Sequence, residues 1–178
     1  MKVAFIGLGN MGLPMALNLL NAGYLLTGFD LIQSQLDAFS AAGGQVEKSA
    51  ALAVGGADIV ISMLPASRHV EGLYLGDAGI LAHANPQALL IDCSTISPKV
   101  AQEVAKVAKT KGFAMIDAPV SGGTAGAQAA TLTFMVGGAA QDLEQARPLP
   151  ATGRHLPCGR AVHIFQTLHF PTPRAMGH

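Results

Sequence analysis

The first dozen residues constrain the fold more than any other part of the chain. Lys2-Val-Ala-Phe-Ile-Gly7 is a short apolar run that leads into Gly7-Leu8-Gly9-Asn10-Met11-Gly12, and a helical pattern follows. A strand, a glycine turn and a helix in that order are what holding a pyrophosphate requires. Gly7 permits the tight turn, Gly9 lets the backbone approach the phosphates, and Gly12 lets the helix pack close to the strand. The opened helix end then offers N–H groups and a positive dipole end to an anion. A second strand-like run, Tyr24-Leu-Leu-Thr-Gly-Phe29, ends in Asp30. A carboxylate about 20 residues past the glycines suits the ribose hydroxyls of NAD and repels the extra phosphate of NADP. The competing reading is a glycine turn that only joins a strand to a helix.

Strand-like and helix-like segments alternate as far as about residue 146. Helical spacing runs over 11–22 and stops at Gly23; 32–42 reads as a second helix closed by Gly43-Gly44. A short helix over 49–54 has Ser49 as its cap. Ile59-Val-Ile-Ser-Met63 and Leu89-Leu-Ile-Asp92 read as buried strands. Ser97-Pro98 opens a helix to about Thr110, with serine as cap and proline at the first position. Ala114-Met-Ile-Asp117 and Thr131-Leu-Thr-Phe-Met-Val136 are later strands. Such alternation predicts an α/β fold, a Rossmann-type doubly wound parallel sheet with helices on both faces.

Composition narrows the partners. The 178 residues carry no net formal charge, which removes an electrostatic case for nucleic acid or an anionic membrane. No uninterrupted apolar run reaches the roughly 18 residues of a spanning helix, so the expectation is a soluble, cytoplasmic protein. Cys93 and Cys158 form no disulfide or zinc pattern.

Residues 149–178 differ in kind. From Gln145 onward there is no Asp, Glu or Lys, but there are four arginines, four of the six histidines and half of the ten prolines. The expected organisation is a cofactor domain over 1–148 and an irregular, disordered Pro/Arg/His-rich tail over 149–178. His155, His163, His169 and His178 lack the paired spacing of a metal site, so no metal is expected.

Three further stretches follow predicted strands, where an open parallel sheet binds its ligands. They are Met63-Leu64-Pro65, Asp92-Cys-Ser-Thr-Ile-Ser-Pro98, and Asp117-Ala-Pro-Val-Ser-Gly-Gly123 with its glycine-rich continuation into a helix. The phrases Ile61-Ser-Met-Leu-Pro65, Asp92-Cys-Ser-Thr-Ile96 and Asp117-Ala-Pro-Val-Ser-Gly-Gly123, with the opening Gly7–Leu19, which fits G-L-G-x-M-G-x-P-M-A-x-N-L, resemble the β-hydroxyacid dehydrogenases. Within them the likeness is to the 3-hydroxyisobutyrate dehydrogenase family, over about residues 1–149. Thr131-Leu-Thr-Phe-Met-Val-Gly-Gly138 matches as well, with Ala130 standing where that family has glycine.

The resemblance implies roles. Gly7, Leu8, Gly9, Asn10, Met11 and Gly12 would lie at the pyrophosphate, with Asp30 at the ribose. Leu64 and Pro65 would stand beside the cofactor, Thr95 near the nicotinamide, and Ser121, Gly122 and Gly123 at the substrate carboxylate. Against these stand a strand-end hydroxyl bonding its own backbone for Thr95 and a helix cap for Ser121. Asp92 and Asp117 are read as capping turns rather than catalysing, and Cys93 as a small buried hydrophobe.

The activity implied is NAD-dependent oxidation of 3-hydroxyisobutyrate to methylmalonate semialdehyde, a step of valine breakdown. The alternatives are a non-catalytic NAD-binding remnant and an enzyme for another small β-hydroxyacid such as tartronate semialdehyde. The resemblance places the family's general acid/base lysine on the long helix that follows the cofactor domain, and beyond that helix a C-terminal all-α domain that closes the site. The last lysine here is Lys111, so no catalytic residue is assigned, and a truncated or frame-disrupted copy of a longer enzyme is the expectation. Apolar surface left uncovered where that domain packs predicts self-association.

Overall fold

The computed structural model describes residues 1–146, 155–156 and 159–163. The opening apolar run forms β1 (Lys2–Ile6), and α1 (Gly12–Asn21) follows the glycine turn. Next come β2 (Leu25–Phe29), α2 (Gln33–Ala41), β3 (Gln45–Val46), α3 (Ala50–Val54) and β4 (Ile59–Ser62). The chain continues through α4 (Ser67–Leu75), α5 (Ile80–His83), β5 (Leu89–Asp92), α6 (Pro98–Thr110) and β6 (Ala114–Asp117). After that come β7 (Val120–Ser121), α7 (Gly123–Gln128), β8 (Leu132–Gly138), α8 (Ala140–Ala146), β9 (His155–Leu156) and β10 (Gly159–His163).

The two predicted caps form as expected. Ser49 Oγ accepts the Leu52 N–H at 3.2 Å, and Ser97 Oγ accepts the Val100 N–H at 3.3 Å ahead of Pro98.

Strands β3-β2-β1-β4-β5-β6 lie side by side in that order and run parallel. All four residues of β4 and of β5 are buried, as a sheet covered on both faces requires. The two-residue period of each strand divides the core. Phe5, Ile61 and Ile91 face Met15 and Leu19 of α1 and Phe39 of α2. Ala4, Val60 and Leu90 face Val54 of α3, Val70 and Tyr74 of α4, and Val104 of α6.

The sheet is not parallel throughout. β8 runs antiparallel to β6, pairing Ile116 with Gly138 and Asp117 with Gly137. The cause is the connection: α7 has six residues and is about 9 Å long, and β7 folds directly back onto β8. That segment never crosses the sheet to start another parallel strand.

Within the stretch expected to be irregular, two short strands are described, at 155–156 and 159–163. There β10 lies parallel to β8, Gly159 beside Leu132 and His163 beside Val136, and β9 pairs antiparallel with β10. The stretch has no strand period of its own; the free backbone edge of β8 supplies the pairing. The 148/149 boundary, the disorder expected of the tail and the placement of its histidine side chains lie outside the described residues.

Ala130 has φ of 55°, and among the described residues no other non-glycine residue has positive φ. The departure noted in the sequence therefore falls where a Cβ is disfavoured by about 1–2 kcal/mol. Replacing Ala130 by glycine is expected to stabilise the chain by about 1 kcal/mol. A urea melt with a higher midpoint and unchanged slope is the measurement; a lower midpoint would remove the account of strain.

Candidate functional site

Because β1, β2, β4, β5 and β6 are parallel, the segments that leave them emerge along one edge of the sheet. Backbone bonds stitch those exits together. Gly7 N–H donates to Phe29 O at 2.9 Å, Met63 N–H to Ile6 O at 3.0 Å, Cys93 N–H to Ser62 O at 2.8 Å, and Ala118 N–H to Asp92 O at 2.8 Å.

The glycines of the first turn do different things. Gly7 has φ of 93°, and a Cβ there would run into the Met63 carbonyl oxygen. A Cβ on Gly12 would run into the Gly7 carbonyl oxygen, so this position sets how closely α1 approaches the turn. Over Gly9 there is open space, with no atom within 4 Å of where a Cβ would stand. The first turn of α1 carries no acidic side chain, and no side chain caps it. An uncapped helix start beside an open glycine suits an anion.

Asp30 is tied to the same turn. Its Oδ2 accepts the Leu8 N–H at 2.6 Å and its Oδ1 accepts the Ile32 N–H at 2.8 Å. Each carboxylate oxygen keeps a further lone pair for a hydroxyl donor. Leu8 itself is buried in the core and contributes backbone only. Beside Asp30, Leu31 is 91% exposed and Ile32 56%. This apolar pair went unremarked in the sequence, where its signal is two large aliphatics directly after Asp30. Asn10 and Pro65 are exposed, while Met11 and Leu64 are partly buried.

Thr95 is exposed in the loop between β5 and α6, and Ser121 is exposed at the end of β7. Ser121 is not the cap of α7. Gly122 occupies that position with φ of 133°, and no side chain caps the helix. The Ser121–Gly123 loop is linked to the Gly7–Gly12 turn through α1: Asn18 Nδ2 donates to the buried Ala127 carbonyl of α7 at 2.7 Å. Asn18 belongs to the G-L-G-x-M-G-x-P-M-A-x-N-L phrase, the one signal that could have found it.

Under the loops lies a buried polar chain. Asp92 Oδ1 accepts from Ser62 Oγ at 2.8 Å and from Ser94 Oγ at 2.6 Å. It also takes the Ser94 N–H at 3.3 Å, so Asp92 does cap a turn. Ser62 Oγ lies 2.8 Å from the Tyr74 hydroxyl. Asp92 Oδ2 is buried without a hydrogen-bond partner among the described residues. Burial pushes the Asp92 carboxyl above the usual carboxylate range, against the lowering effect of its serine bonds. Burial, reinforced by the charge of Asp92, pushes the neighbouring Asp117 up to about 6. Tyr74 is raised well above the usual phenol range, by burial first and Asp92 second. Cys93 is buried in the apolar core. No helix among the described residues is long and apolar enough to cross a membrane.

Known proteins share this arrangement. The family model of the NAD binding domain of 6-phosphogluconate dehydrogenase matches residues 2–158. An NAD-dependent L-serine dehydrogenase of Pseudomonas aeruginosa is 62% identical over 87% of this chain and 52% of its own length. A 3-hydroxyisobutyrate dehydrogenase of the same organism is 52% identical over 86% of the chain and 52% of its own length. Among solved structures, Mycobacterium tuberculosis 3-hydroxyisobutyrate dehydrogenase with L-serine superposes with a TM-score of 0.84 at 45% identity. It aligns over 91% of this chain and 53% of its own. The chain spans about half the length of the curated relatives it matches. It belongs to this NAD-binding domain family, on the 3-hydroxyisobutyrate dehydrogenase branch, and NAD is the cofactor that family binds.

Proposed function

We propose that the chain holds NAD along the edge where its parallel strands end, and that it is the cofactor half of an oxidoreductase for small β-hydroxyacids. The observation that carries this reading is the open space over Gly9 at the uncapped start of α1, with Asp30 bonded to the same turn. Gly7, Leu8, Gly9, Asn10, Met11 and Gly12 present backbone to the pyrophosphate. Asp30 accepts the ribose hydroxyls, and Leu31 and Ile32 flank the adenine. Leu64, Pro65 and Thr95 line the way to the nicotinamide, and Ser121, Gly122 and Gly123 receive the substrate carboxylate. When bound, NAD supplies the hydride acceptor.

The substrate we favour is 3-hydroxyisobutyrate, oxidised to methylmalonate semialdehyde. L-serine is a second reading, favoured by the 62% identity to a relative named for it. Both molecules offer a carboxylate and a β-hydroxyl, so the Ser121 loop serves either. The resemblance assigns proton removal to a lysine beyond the matched region, and Lys111 is the last lysine in this chain. General acid–base catalysis is typically worth about 10²–10⁴ in rate, so the 178-residue chain by itself is proposed to bind NAD and yield almost no product.

Calorimetric titration tests the reading. The native chain is expected to bind NAD in preference to NADP. The substitution Asp30→Ala is expected to weaken NAD by about tenfold or more, as loss of a charged acceptor predicts, and to erase the preference. A folded native chain that takes up no NAD would sink the proposal, and rapid formation of reduced nicotinamide would sink its catalytic part.

A further inference from the structure

The Met63–Pro65 loop rests on buried groups that have no part in the cofactor reading. Ser94 is fully buried and its hydroxyl works in both directions. It donates to Asp92 Oδ1 at 2.6 Å and accepts the Leu64 N–H at 2.9 Å. Asp92 is steadied by Ser62, which donates to the same oxygen at 2.8 Å. With its proton committed there, Ser62 Oγ accepts from the Tyr74 hydroxyl at 2.8 Å. Above the loop, the Leu64 side chain stands against the glycine turn, where a Cβ on Gly7 would come within 2.9 Å of Leu64 Cδ2. A continuous polar path thus runs from α4 through the ends of β4 and β5 to the wall of the first turn.

We propose that Ser94, anchored by Asp92, is a positioning residue that sets the Leu64 amide and through it the wall of the glycine turn on which the dinucleotide lies. The proposal rests on the cofactor reading above and has a second readout that does not depend on it. All the donors to Asp92 fall on Oδ1, so a neutral amide there keeps the relay. Ser62 donates to the same oxygen without touching Leu64, which makes it the structural control.

The experiment uses the 178-residue chain, with NAD affinity by calorimetry and exchange of the Leu64 amide by NMR. Ser94→Ala is expected to weaken NAD binding about tenfold and to speed Leu64 exchange about tenfold, the scale of one lost hydrogen bond. Ser62→Ala is expected to lower the melting temperature while leaving both readouts within about twofold of native. Asp92→Asn should likewise hold both within about twofold. If Ser94→Ala does not fold, Ser94→Cys, a weak acceptor of similar size, must raise Leu64 exchange more than Ser62→Ala does. Native-like values for the Ser94 variant, or equal losses at Ser62 and Ser94, would overturn the assignment. If the native chain binds no NAD, the cofactor reading falls. Leu64 exchange then decides the relay alone, and equal protection in native and S94A protein overturns it.

Discussion

Replacing Gly12 by alanine is expected to destabilise the chain by about 3 kcal/mol or more, while the same change at Gly9 leaves stability within about 0.5 kcal/mol. The two glycines belong to one motif, and the structure separates them. At Gly12 the added methyl meets the Gly7 carbonyl oxygen, a backbone atom, with Phe5 Cε1 only 3.2 Å away. Neither can step aside without moving α1 off β1. Gly9 faces open space, so its Cβ meets nothing until an anion arrives. Gly9→Ala is therefore expected to fold normally yet bind NAD at least about tenfold more weakly, through steric loss at the pyrophosphate. Urea denaturation measures the first effect and calorimetry the second. Equal destabilisation at both positions would contradict this packing. Unchanged NAD affinity in G9A would take the pyrophosphate away from Gly9.

The second large effect concerns pH. Asp117 ends β6 directly beside Asp92 in the strand register. Burial first, and the charge of Asp92 second, raise its carboxyl from 3.8 to about 6. An acid whose folded value is raised gives its full stability below the unfolded value. That stability is lost as pH climbs through the folded value, because the unfolded chain releases the proton first. The window is therefore from about pH 4 to about pH 6. A shift of this size corresponds to about 3 kcal/mol at most, and partial exposure of the carboxyl reduces it to about 2 kcal/mol. The substitution Asp117→Asn isolates the effect from every other acid. Its advantage over the native chain is expected to be smallest near pH 4 and to grow by about 2 kcal/mol by pH 7. Asp92, raised in the same direction, leaves a residual fall with pH in the variant. A native-minus-variant difference that stays constant across the window would show that Asp117 ionises freely in the folded chain.

The parts legible in the sequence are those with a strong local signature. The β1–turn–α1 unit, the buried runs of β4 and β5, and the Ser97-Pro98 start of α6 each combine apolar period with turn or cap chemistry. The helix α4 escaped because its buried face is only Val70 and Tyr74, four residues apart, too little for a periodic signal. The direction of β8 escaped because alternation is the same in parallel and antiparallel strands; the short α7 decides it. The strand β10 has no apolar period, and its pairing comes from the edge of β8. Within the candidate site, the Gly7–Gly12 turn between β1 and α1 and an acid closing β2 were readable from their spacing, and Asp30 is bonded to that turn. The Tyr74–Ser62–Asp92–Ser94 chain was not, since it joins three separate stretches, at 62, at 74 and at 92–94, that converge only through the β4–β5 register and the packing of α4. The cost at Ala130 was visible solely as a departure from a resembling family, and its backbone angle supplies the reason.

The regular spacing of the parallel strands acts as a ruler for the ligand edge. Neighbouring strands stand about 4.8 Å apart, and the order β2-β1-β4-β5-β6 places the exit at Asp30 about 19 Å from the exit leading to Ser121. That interval is set by main-chain pairing, which side-chain changes in the loops do not alter. If Ser121 and Asp30 hold the roles we propose, recognition of a small acid can be retuned at one end of the ruler while the other end keeps its grip on adenosine. Relatives named for serine and for hydroxyisobutyrate, 62% and 52% identical to this chain over nearly the same stretch, are what such a division of labour would leave behind.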